Sequence, residues 1–153
     1  MTITEYPQDR IAAQPIGYWT REAANLAIGA IRTALAEEDL TQPHWWTLNH
    51  IAATPGAWTR TTLTAKLSPY DDQNTDFDAM YTDLTTRGWL TEPDGTLTLT
   101  LTPEGEAGRL RAHARNAKVH TRMRDGIDDE AYASTINVLR RLVVNLGGEG
   151  DLP

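Results

Sequence analysis

Apolar residues recur at spacings of three and four along much of the chain, beginning with Trp19, Ala23, Leu26, Ala27, Ala30, Ile31, Ala34 and Leu35. That period predicts a long amphipathic helix from Pro15 to Glu38, with the proline at its start, where a missing N–H costs nothing. A second helix follows in "LTQPHWWTLNHIAATPG", opened by Thr41 as N-cap and stopped by Pro55 and Gly56. "WTRTTLTAKL" reads as a short third helix. Asn74 to Arg87 reads as a fourth, with Phe77, Met80, Tyr81 and Leu84 on one face and Gly88 ending it. In "WLTEPDGTLTLTLT" the period drops to two. Leu97, Leu99 and Leu101 point one way and Thr96, Thr98, Thr100 and Thr102 the other, which predicts a β-hairpin turning at Pro93-Asp94-Gly95. Thr102-Pro103-Glu104 caps a long fifth helix to about Arg124. Asp128 opens a sixth, whose stripe is Tyr132, Ile136, Leu139, Val143 and Leu146, with Gly147-Gly148 closing it.

This order gives a mainly α fold: a winged helix-turn-helix over residues 41–102, with a two-stranded β-wing, set in a helical frame from the two ends of the chain. The frame helices, residues 14–40 and 103–147, cannot bury their apolar stripes on so small a central module. The 153 residues are therefore expected to form one subunit of a homodimer clasped through its N- and C-terminal helices. With no run of about 18 apolar residues and no basic-then-apolar leader, no membrane partner is expected and a cytoplasmic location is. The absence of cysteine removes thiolate nucleophiles, thiolate-bound zinc and iron–sulfur clusters.

"PIGYW" at the first helix, "LTQPHWWTLNHIA" in the second, "LTTRGWLT" before the wing, "LTPEGEA" at the fifth and "GIDDEAYASTINVLRRLVVNLG" in the last together cover about Gln14 to Gly147. In order and spacing they resemble the multiple-antibiotic-resistance regulator (MarR) family of bacterial regulators. The resemblance implies dimeric binding to palindromic operator DNA, often released by a small aromatic or phenolic molecule bound between the dimer frame and the winged helix. It also implies a basic recognition helix and an arginine at the wing tip, yet "TEPDGTLTL" contains neither Arg nor Lys, so no position takes that last role.

Charge sharpens the departure. Residues 61–108 hold two cations, Lys66 and Arg87, against nine acids, a balance of −7 that equals the formal net charge of the whole chain. Residues 109–153 carry eight Lys or Arg against six acids. DNA affinity is dominated by neutralising phosphate, so an acidic reading head opposes it. Asp71, Asp72, Asp76, Asp78 and Asp83 read equally well as a solvated helix face. Arg60, Lys66, Gln73, Asn74 and Arg87 are the polar candidates for DNA contact.

Other chemistry is sparse. Asp72, Asn74, Asp76, Asp78 and Asp83 match a calcium-loop spacing, but Phe77 stands where that loop turns on glycine. His113 and His120, like His44 and His50, lack ligand spacing, so neither a metal nor a cofactor is expected. The aromatic and polar group Tyr18, Trp19, Arg21, His44, Trp45, Trp46, Asn49 and His50 has two readings: packing in the core and dimer seam, or the wall of a ligand pocket. Three functions stay open. One is a ligand-responsive regulator. The second is a winged-helix dimer that has lost DNA binding and serves as a binding module. The third is an enzyme built in the pocket with His44 or His50 as acid/base and Tyr18 as donor, although enzymatic motifs are absent.

Overall fold

The computed structural model describes residues 3–93 and 95–151. Contacts divide the chain into two compact units, one ending at Asn116 and one beginning at Ala117. In the first unit α1 (Gln8–Ala12) precedes α2 (Ile16–Ala36), α3 (Gln42–Ala53), α4 (Arg60–Leu67) and α5 (Phe77–Thr86). Strands β1 (Leu90–Thr91) and β2 (Thr100–Leu101) follow, and α6 (Pro103–Met123) runs across the division into α7 (Asp129–Asn145).

The helix starts follow local chemistry. Asp76 accepts the Ala79 N–H at 2.9 Å and Asp128 accepts the Ala131 N–H at 2.7 Å, each capping the helix that follows. The cap at Asp76 is why α5 begins at Phe77 rather than at Asn74, whose φ of +53° is left-handed and cannot continue into a helix. Thr59 caps α4 through the Thr62 N–H at 3.1 Å.

The core of the first unit gathers Leu35, Leu48, Ile51, Leu63, Tyr81, Leu84, Leu90 and Leu99, with Trp45, Trp46, Trp58 and Trp89 packed against it. It is the core of the winged helix, sealed by the end of α2 and by Ala112 on α6. The predicted stripe of the first helix therefore splits. Ala34 and Leu35 are buried, while Trp19 and Leu26 lie exposed because only the last turns of α2 meet the winged helix.

The wing is shorter than its alternation suggests. Leu90 pairs with Leu101 and Thr91 with Thr100, antiparallel, and a single bridge joins Thr98 to Thr59 at the entry to α4. Leu99 is fully buried, but Leu97, expected to point the same way, is 78% exposed, because it stands beyond the last paired residue and no layer covers it. Of the predicted turn, Asp94 lies outside the described residues; Thr96 N–H donates to the Pro93 carbonyl at 3.0 Å, and Gly95 takes the positive φ of +77°.

In the second unit α7 presents Tyr132, Ile136, Val138, Val143 and Val144 to solvent and has no buried residue among the described residues. Asp128 opens it as the sequence predicts, and Gly147, at a φ of +87°, follows its end.

Candidate nucleic-acid interface and ligand cleft

Helix α5 is the last helix before the wing. It turns Phe77, Met80, Tyr81 and Leu84 into the core, and the Tyr81 hydroxyl meets Thr64 Oγ1 at 3.1 Å. Burial holds the Tyr81 phenol above its ordinary value. The opposite face shows Asp78, Ala79, Thr82, Thr85 and Thr86 to solvent.

The acids around this helix have specific partners. Asp71 accepts from the Thr75 N–H at 2.6 Å, the Thr75 hydroxyl at 2.9 Å and the Gln73 N–H at 3.3 Å, so it folds the loop before α5. Those bonds, the Thr75 N–H first, hold its carboxyl below the usual range. Asp72 pairs with Arg32 of α2 at 2.5 Å. Asp76 is the helix cap. Asp83 turns toward the protein, with Arg87 at 2.7 Å and His44 Nε2 at 3.4 Å. Glu92, at the base of the wing, holds Arg60 at 2.6 Å, and Glu106 holds Arg109 at 2.7 Å. Cations from outside residues 61–108, namely Arg32, Arg60 and Arg109, thus neutralise three acids within that segment.

The same pairing occupies two of the candidate DNA contacts. Arg60 donates through Nε to Glu92, and through Nη1 to the Asp78 carbonyl at 3.2 Å and Thr82 Oγ1 at 3.1 Å, with its guanidinium 5.7 Å from the Tyr81 ring centre. Arg87 donates to the Asp39 carbonyl at 3.0 Å and lies 5.9 Å from the Trp89 ring centre. Lys66 is half-buried in the last turn of α4. Gln73 and Asn74 stand exposed in the loop before α5.

The eight candidate ligand residues fall in separate places. Tyr18 and Trp19 lie in the first turns of α2, more than half exposed and edge to face at 5.2 Å, with exposed Arg21 beside them. Arg32 meets the start of α3 through Gln42 at 2.8 Å, and Tyr18 precedes it by fourteen residues, about 21 Å along a helix. His44 faces α5. Its Nδ1 accepts the Thr41 N–H at 3.2 Å, which leaves the proton of the neutral ring on Nε2, toward Asp83. Burial, above all, lowers its pKa from 6.5, with Asp83 opposing. Trp45 meets His113 of α6 at 6.3 Å between ring centres, while His50 packs edge to face on Trp58 at 5.7 Å. His50 Nδ1 lies 2.9 Å from the Trp46 carbonyl, so the proton of the neutral ring sits there and Nε2 keeps its lone pair. The catalytic set of His44, His50 and Tyr18 is not gathered at one point.

Asn49 instead bonds a residue that lines a cleft. Its Oδ1 accepts from Arg109 at 3.1 Å, and Arg109 and Glu106 join Ile51, Pro55, Thr100 and Leu101 around about 310 Å³ of space between the end of α3, the wing base and the start of α6. The Glu106 carboxylate is held below its ordinary range by Arg109, chiefly through their hydrogen bonds. Arg109 and Glu106 were not among the candidates read from sequence. Their only local signal is an i,i+3 spacing on the predicted fifth helix. Among the described residues no three His, Asp or Glu side chains converge to hold a metal ion.

No protein-family model matches the chain, and no curated protein matches it. Solved structures do. The PcaV transcriptional regulator of Streptomyces coelicolor is 21% identical, with a TM-score of 0.68 over 87% of this chain and 98% of its own. The Mycobacterium tuberculosis MarR family protein Rv2887, in complex with DNA, is 23% identical, with a TM-score of 0.64 over 88% and 99%. The transcriptional repressor CouR, bound to p-coumaroyl-CoA, is 21% identical, with a TM-score of 0.66 over 90% and 97%. The fold is that of the MarR-family winged-helix proteins.

Proposed function

We propose that this protein is a homodimeric, ligand-responsive DNA-binding transcription regulator of the cytoplasm. One observation carries the reading: α5 is anchored by its whole apolar face and by Arg60, and it presents an outer face of short polar side chains in the recognition position. A rigid helix of that kind suits insertion into a major groove. The acid surplus that argued against DNA is largely occupied by internal work, since Asp71 and Asp76 fold the backbone while Asp72, Asp83 and Glu92 are paired with arginine. Related folds in complex with DNA and with p-coumaroyl-CoA support both halves of the proposal. The ligand is read as a small aromatic or phenolic molecule. Its contacts are sought among Tyr18, Trp19, Arg21, His44, Trp45, Trp46, Asn49 and His50, joined by Arg109, which lines the cleft and bonds Asn49.

A second reading has support of its own. Residues 92–98 contain no Arg or Lys, and Arg60 and Arg87 are engaged within the protein, which favours a winged-helix dimer that binds a small molecule and no longer binds DNA. A mobility-shift titration on the DNA upstream of the gene, repeated across salt concentrations, separates the two. The regulator reading expects specific binding at low salt, weakening with a slope of about 0.9 per phosphate contact. Absence of binding at low salt would overturn it in favour of the second reading.

A further inference from the structure

We propose that Asp78 reads a base directly and selects cytosine, which deepens the regulator reading and rests on it. Asp78 is the second residue of α5, and a recognition helix contacts base edges with its N-terminal residues. Its side chain is 84% exposed. The other acids near α5 are committed: Asp71 and Asp76 to backbone N–H groups, Asp72 to Arg32, Asp83 to Arg87. Among the described residues, Asp78 alone of these five aspartates has neither a hydrogen bond to its carboxylate nor a close ion pair, its nearest cation being Arg60 Nη1 at 3.8 Å. That guanidinium is fixed by Glu92, Thr82 and the Asp78 carbonyl, so it lends positive potential behind the carboxylate without covering it. Ala79 and Thr82, on the same outer face, are small enough for the helix to approach closely.

The chemistry of the groove then sets the preference. A carboxylate only accepts hydrogen bonds, and cytosine N4 is an amino donor in the major groove. Guanine offers the acceptors N7 and O6 there, and thymine the acceptor O4, so both are repelled. Adenine sets its N6 donor beside the N7 acceptor, which suits an amide better than a carboxylate.

Selection from randomised duplexes by wild type, Asp78→Asn and Asp78→Ala tests this, followed by anisotropy titrations at fixed low salt. Wild type is expected to enrich a cytosine in the binding site, and exchanging that C·G pair for G·C is expected to weaken binding about tenfold to a hundredfold. Asp78→Asn moves the preference to adenine, and Asp78→Ala abolishes it. Matching circular dichroism and melting curves show that the variants fold, as the exposed position predicts. Variants that select the wild-type sequence, or a wild-type site indifferent to cytosine, would overturn the proposal while leaving the regulator reading intact. If wild type selects no sequence at all, both fall together.

Discussion

His44 shows how a single residue can hold two elements and make them sensitive to acid. Its Nδ1 takes the Thr41 N–H at the start of α3, while Nε2 faces Asp83 on α5, whose same carboxylate oxygen pairs with Arg87 just past the helix end. Protonation would place a hydrogen on Nδ1 and lose the bond from the Thr41 N–H, with the Thr41 hydroxyl, 2.7 Å away, left as its acceptor. Because the folded pKa lies below 6.5, the unfolded chain binds the proton more readily. The stability that neutral His44 contributes is complete above pH 6.5 and is lost as pH falls through the lowered folded value. Urea unfolding at pH 7.5 and 5.5 is therefore expected to show a smaller loss of stability on acidification in His44→Gln than in wild type. Glutamine supplies a non-titrating acceptor at the same helix position. An equal loss in both proteins would remove His44 from the account. Gly105 imposes another single-residue limit, since a Cβ there would sit 2.1 Å from the Trp89 carbonyl oxygen, closer than any contact permits.

Between elements, Arg60 is the joint of the winged helix. From the first turn of α4 it reaches Glu92 at the wing base, the Asp78 carbonyl and Thr82 of α5, and the face of Tyr81. Both members of its ion pair are about 30% exposed, so solvent screens the charge and the hydrogen bonds matter more than the Coulombic attraction. Arg60→Met keeps an apolar stem on Tyr81 and removes every donor. It is expected to lower stability by about 1–2 kcal/mol in urea unfolding and to speed amide exchange in β2. A variant of unchanged stability whose DNA binding loses about one unit of salt slope would instead make Arg60 a phosphate contact.

On the scale of the molecule, the apolar faces left uncovered support the proposed homodimer. In one unit Ile11, Ile16, Trp19 and Leu26 are exposed, and in the other Tyr132, Ile136, Val138, Val143 and Val144 are. Burying an aliphatic side chain is worth about 1.5–3 kcal/mol, so several such residues per protomer supply ample drive for association. Light scattering is expected to give twice the 17.0 kDa of one chain, and the double variant Ile136→Asp, Val143→Asp to give the single mass. A wild type that scatters as a monomer at micromolar concentration would refute the homodimer.

Periodicity and caps in the sequence determined the element order, the helix from Ile16, the apolar face of α5 and the start at Asp128. All of these depend on neighbours within about four residues, which the chain carries with it whatever it packs against. The length of the wing and the exposure of Leu97 depended on which layers cover them, and no local pattern reports that. The partners of Asp72, Glu92 and Glu38 were decided only by tertiary structure. Arg32 meets Asp72 across 40 residues, Arg60 meets Glu92 across 32 and Arg115 meets Glu38 across 77. A count of charge along the chain sees nine acids and two cations. Folding brings Arg32 and Arg60 from outside that segment to two of those acids and leaves Asp78 facing out, because opposite charges pair by proximity in space and not in sequence.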